Sequence, residues 1–295
     1  MGYLFLFLSK LSGIGKMVAM KKCGKIASGP ENSLTINMLR TFGCLIISLA
    51  VSLVVGFGDM TQSGILISVL FGVFVALQLF LWVLAAESAS LCVVEIFCMI
   101  GGVLVPMILN PLFIPSENVG ALSWIGAFIL IPSAFLLFKK EDKGLSLKAL
   151  PLLILSGAAN AGVVITQKLF AEYGGGTASD FNTLSFATAL PTLALIFAIL
   201  KFIRRKQKRE RINTKAFNKQ TIVYIIIAVA MLYSAQYTNT LASGELSGGV
   251  LFPLSYALGM PMTMVADTVI FKEKVQVKTV CGIALAVISA LLCNL

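Results

Sequence analysis

"SLCVVEIFCMIGGVLVPMIL", Ser90 to Leu109, is apolar over nearly its whole length and carries one carboxylate, Glu95. A helix of about 20 residues is ~30 Å long, the thickness of a bilayer's hydrocarbon core. A charged carboxylate is expensive there, so Glu95 needs a partner, a proton or water.

Composition extends that reading to the whole chain. Of 295 residues, 58% are hydrophobic and 12% are charged, against roughly 25% charged in an ordinary soluble domain. Mean hydropathy is +0.95. Apolar runs near the spanning length recur along the chain, whereas a membrane β-barrel would show ~10-residue alternating segments. The expected fold is therefore an all-α integral membrane protein.

The hydropathy pattern predicts ten spans at about 3–20, 33–55, 64–86, 89–109, 119–138, 149–170, 181–201, 220–241, 246–271 and 277–294. Breakers mark the gaps: "SGPEN", "GFGDMTQSG", "NPLFIPSEN", "YGGGTASD" and "SGELSGG". The basic gap "RRKQKRERINTKAFNK", Arg204 to Lys219, is too short to be a domain. The first span is the weakest, because it carries Lys10 and Lys16, which would snorkel toward the headgroups.

The net charge of +10 sits in these short gaps, so it is read as loop charge and no nucleic-acid partner is expected. The odd-numbered gaps hold Lys21, Lys22 and Lys25; Lys139, Lys140, Lys143 and Lys148; nine from Lys201 to Lys219; and Lys272, Lys274 and Lys278. The even-numbered gaps hold no Lys or Arg and carry Asp59, Glu117, Glu172, Asp180 and Glu245. Positive residues stay in the cytoplasm. The odd gaps are thus expected inside a cell (plasma or inner) membrane, with both termini outside.

The two halves echo each other. "IPSENVGALSWIGAFILI" from Ile114 and "FKEKVQVKTVCGIALAVI" from Phe271 each place a glycine nine residues after a glutamate. Glu117 and Gly126 map onto Glu273 and Gly282 at an offset of 156. "LSGIGKMVAMKK" from Leu11 and "LSGAANAGVVITQK" from Leu155 open the halves alike, and "LAAES" at Leu84 parallels "LASGE" at Leu241. Five spans per half is odd, so the second half is expected to be inverted relative to the first. Inverted repeats with a midplane site are a transporter architecture.

The closing segment, with Pro253 in the penultimate span, Phe271 and Glu273 in a short turn and Gly282 early in the last span, resembles the EamA-like branch of the drug/metabolite transporter superfamily. Glu117 and Gly126 match the same turn in the first half. Arg40 resembles a basic residue often found early in that family's second helix. The resemblance implies two five-helix repeats, here 1–138 and 149–295, around a central cavity that passes small polar or amphipathic solutes. Many members are thought to keep both termini in the cytoplasm. The charges of this chain point the other way and set the expectation here.

Polar residues within the spans mark candidate sites. Arg40, Glu95, Lys16 and Asp267 all fall about 4–7 residues from the odd-gap boundary, or ~6–11 Å at 1.5 Å per residue. They form either a switchable ion-pair and coupling group or a static network, and Arg40 is the expected partner of Glu95. Gln78 and Trp82 share a face at i, i+4, Asn160 lies mid-span, and Tyr233, Gln236 and Tyr237 follow on the eighth span. Amides and rings suit an amphipathic solute, although Trp82 and Tyr237 would equally suit an interfacial belt. Asn37, Thr41, Cys44, Ser48 and Ser52 form a polar stripe that lines a path or bonds a neighbouring helix. Pro253 and Pro261, with Gly248, Gly249 and Gly259, make the ninth span the most deformable.

No enzyme, cofactor or metal site is expected. The chain has no histidine, and "SGIGKMV" lacks P-loop spacing. Its six cysteines show no CxxC. The expected function is secondary transport of a small organic solute, with proton coupling through Glu95 as one option. A lipid-carrier flippase or a non-transporting scaffold is the alternative. The partners are the solute and the bilayer, with a homodimer left open.

Overall fold

The computed structural model describes residues 1–26, 30–88, 91–116, 119–136, 149–206, 218–272 and 277–293. Their regular elements are all α-helices: α1 (Gly2–Ile26), α2 (Pro30–Val55), α3 (Gln62–Ser88), α4 (Leu91–Phe113), α5 (Ala121–Leu136), α6 (Leu150–Tyr173), α7 (Ala178–Lys206), α8 (Lys219–Glu245), α9 (Gly248–Phe271) and α10 (Val277–Cys293). Eight of them are long and apolar enough to cross a bilayer, and Ala121–Ser133 and Val280–Cys293 are shorter apolar helices.

Burial is reversed relative to a water-soluble bundle. Val54, Leu53, Leu195 and Ile226 are 88%, 68%, 63% and 62% exposed, whereas Ser48, Ser52, Ser68 and Asn182 are fully buried. An apolar exterior around a core with polar seams fits lipid as the solvent. The chain is an all-α, multi-pass membrane protein.

α1 and α7 outrun their expected C-terminal ends the farthest, into basic residues. α1 continues through Lys21 and Lys22, and α7 through Lys201 to Lys206. Hydropathy falls where the charges begin, but helicity does not, because Lys and Arg are good helix formers and are favourable near a C-terminus. The long basic gap falls largely outside the described residues, as do Glu117 and Glu273.

Closely packed helices form a patterned set: α1 with α8 and α3 with α6; α2 with α8 and α3 with α7; α1 with α9 and α4 with α6; α9 with α10 and α4 with α5. α2 packs on α7, α4 on α9 and α5 on α10. Exchanging each helix with the one five places along returns each pair to another of the set. The α6–α8 and α5–α9 contacts lack such a counterpart among the closely packed pairs.

The α5–α10 seam repeats that exchange at atomic detail. Ser133 Oγ donates to Gly282 O at 2.6 Å, and Ser289 Oγ donates to Gly126 O at 2.7 Å. Both 289 − 133 and 282 − 126 equal 156, the offset found between the two Glu–Gly turns.

Small residues set the tightest crossings. A Cβ on Gly101 would strike the Gly157 carbonyl, and one on Gly64 would strike that of Gly174. These contacts draw α4 onto α6 and α3 onto the end of α6.

Candidate functional site

Asn160, 7% exposed on α6, is the best-bonded of the predicted site residues. Its Oδ1 accepts from Gln78 Nε2 at 2.8 Å. Its Nδ2 donates to Cys98 O at 2.7 Å and to the Tyr256 hydroxyl at 2.6 Å. One amide therefore ties α3, α4, α6 and α9 together. Gly102 makes room for it, since a Cβ there would run into the Tyr256 hydroxyl and Asn160 Nδ2. Cys98 Sγ and Ser156 Oγ, 3.2 Å apart, extend the knot.

Glu95 stands one turn before Cys98. It is exposed, although both neighbours on α4, Val94 and Ile96, are buried. Trp82 Nε1 donates to its Oε1 at 3.0 Å. Lys16 of α1 and Tyr256 of α9 lie within electrostatic range of it. α1, which carries Lys16, and α4, which carries Glu95, are not closely packed on one another.

Arg40 does not pair with Glu95. It lies 5% exposed on α2, and its Nε has no hydrogen-bond partner. Ile36 and Cys44, one turn to either side, pack with Ile225, Val229 and Tyr233 of α8. Arg40 is thus held against α8, and Lys16 lies within range of both Arg40 and Glu95. Equal depth in the membrane did not imply adjacency, because α2 and α4 are not closely packed neighbours. Asp267 belongs to α9, and its side chain lies outside the described residues.

On α8, the Tyr233 and Tyr237 rings stack with centroids 5.9 Å apart. The Tyr233 hydroxyl and Gln236 Nε2 are buried without hydrogen-bond partners. The predicted residues thus fall into two groups, Gln78–Asn160–Trp82–Glu95 and Arg40–Tyr233–Gln236–Tyr237, with Lys16 between them.

The stripe on α2 binds neighbouring helices. Ser48 Oγ lies 2.6 Å and Ser52 Oγ 3.0 Å from Thr183 Oγ1 of α7, and Cys44 Sγ donates to Val229 O at 3.6 Å.

Sequence reasoning missed three polar centres. Tyr256 is a lone tyrosine in an apolar span. Lys168, 5% exposed, donates to Ser243 O and Leu246 O, both at 2.9 Å, at the end of α8. Asp180 Oδ2 accepts from Gly58 N and Thr177 N at 3.0 Å and from Thr177 Oγ1 at 2.6 Å, clasping the α2–α3 and α6–α7 connections. Beside that clasp, Thr61 N donates to Gly174 O at 3.0 Å and Thr61 Oγ1 to Tyr173 O at 2.7 Å.

A groove of about 390 Å³ lined by Thr61, Ser63, Ile67, Phe113, Leu169 and Tyr173 lies at this same end, away from Glu95. Its lining mixes apolar and hydroxyl side chains and carries no charge, so we place the candidate chemistry at the Glu95 group instead.

No family model and no curated protein matches the chain. One solved structure, described only as "Crystal structure of protein", aligns with a TM-score of 0.75 at 15% identity, covering 99% of this chain and 95% of that one. At that identity the likeness is one of fold alone.

Proposed function

We propose that the chain is a ten-span secondary transporter of the EamA-like kind, built from inverted repeats 1–138 and 149–295, and that it moves a small organic solute by alternating access. Lys and Arg confined to the odd gaps put those gaps in the cytoplasm of a cell membrane, with both termini outside. The carrying observation is the reciprocal pair Ser133–Gly282 and Ser289–Gly126. Two bonds that interchange at one offset are what a two-fold relation between halves produces. With five helices per half, the axis lies in the membrane plane.

The same geometry supports an access state. The even-gap end is clasped between halves by Asp180 and Thr61. Toward the other end, Glu95 is exposed, and its helix α4 is not closely packed on α1, which carries Lys16. In the proposed orientation these features fit a carrier closed outside and open inside. Glu95 is the coupling carboxylate: a proton taken up there would remove a costly charge when the cavity closes over it.

The test is uptake by proteoliposomes loaded and bathed with a metabolite mixture, read by mass spectrometry. One solute or a small set should be enriched over protein-free vesicles under an imposed proton gradient. No enrichment, or translocation of a lipid-linked compound instead, would sink the proposal.

A further inference from the structure

Three of the buried groups that lack a hydrogen-bond partner in this structure lie on the packed helices α2 and α8, and all three can donate: Arg40 Nε, the Tyr233 hydroxyl and Gln236 Nε2. Tyr233 and Gln236 are one turn apart on α8 and so share a face. Tyr233 packs in the cluster that holds Cys44, one turn beyond Arg40. An unmet donor in a low-dielectric interior costs free energy, and a cationic one costs most. Elsewhere the unpartnered atoms include the acceptors Asp180 Oδ1 and Asn182 Oδ1, while Asn110 leaves both amide atoms unmet.

Charge points the same way. Lys16 lies within electrostatic range of Lys10, Arg40 and Glu95. Among the described side chains that makes three cations to one carboxylate, and the carboxylate already accepts from Trp82. Arg40 is 5% exposed and held inside the α2–α8 packing, so it cannot snorkel to a headgroup.

We infer that the transported solute is an organic anion, a carboxylate or phosphate ester, whose charged end is held by Arg40 and Lys16 with the Tyr233 hydroxyl and Gln236 amide donating to it. Arginine suits a two-oxygen anion because its planar fork donates in parallel. The Tyr233 and Tyr237 rings, stacked with each other beside these donors, supply aromatic contact for the rest of the solute. The inference rests on the transporter reading for the word "transported"; the binding site stands apart from it.

Four ring compounds matched in size test it by titration of the purified full chain in lipid nanodiscs: phenyl phosphate, benzoate, benzamide and benzylammonium. The two anions should bind, more weakly as salt is raised, and the neutral and cationic compounds at least about tenfold more weakly. Arg40→Gln and Lys16→Gln should each weaken phenyl phosphate binding by about tenfold or more. Tyr233→Phe keeps the ring and its packing, and should weaken the anion alone even if Arg40→Gln fails to fold. No binding of either anion, equal binding of benzamide or benzylammonium, or unchanged affinity in Tyr233→Phe and Lys16→Gln would overturn the inference. Anion binding without uptake by proteoliposomes would remove the transporter reading and leave the site standing. Uptake of a neutral or cationic solute without anion binding would do the reverse.

Discussion

Asn160 uses one side chain to meet three groups on three other helices, at 2.6–2.8 Å. Asn160→Ala strands the Gln78 amide and removes a donor from Cys98 O. The expected cost is about 1–3 kcal/mol, read as a lower unfolding midpoint in detergent; an unchanged midpoint would show that water replaces the amide. Glu95 calls for a different test. Glu95→Gln keeps an oxygen to accept from Trp82, so fold and solute binding should survive while proton-driven accumulation is lost. Accumulation that persists under a proton gradient would make Glu95 structural. Gln78 and Asn160 were legible in the sequence because amides stand out in apolar spans. Tyr256 and Lys168 were not, because what they do depends on partners 96 and 75–78 residues away. The Arg40–Glu95 pairing failed for a related reason: hydropathy gives depth in the membrane and says nothing about which helices are neighbours.

Among the helices, packing is decided where glycine lets backbones touch. Gly101→Val would push a side chain into the Gly157 carbonyl and force α4 from α6. Overpacking of this kind costs about 1–3 kcal/mol. Gly13→Ala meets nothing within 4 Å inside α1 and should be neutral or stabilising by up to about 1 kcal/mol. Melting curves of the two variants in one detergent give the contrast, and equal midpoints would contradict the α4–α6 crossing. The apolar helices were legible from hydropathy, with charge deciding the gaps. Their ends were not, since α1 and α7 stay helical into their basic residues. The α2 stripe was legible as a polar face, but its role was settled only by Thr183 lying opposite Ser48 and Ser52.

Across the whole molecule, the offset of 156 was readable from two short turns, and the Ser133–Gly282 and Ser289–Gly126 bonds give it a physical meaning. The turn glutamates themselves lie outside the described residues. The proposed orientation rests on charge. In a cysteine-free background, cysteines at Ser63 and Thr177 should react with an impermeant reagent in intact cells, and one at Lys208 only after permeabilisation. The reverse pattern would invert the protein in its membrane and leave the fold untouched.

The central claim is that Glu95 faces a water-filled cavity closed at the even-gap end. Glu95→Cys in the cysteine-free background, labelled with a charged maleimide, tests it most directly. Inside-out vesicles should label rapidly and intact cells slowly, with Ser68→Cys, at a fully buried position, silent in both. Labelling from neither side would put Glu95 against lipid or in a sealed core, and the account of the cavity would be wrong.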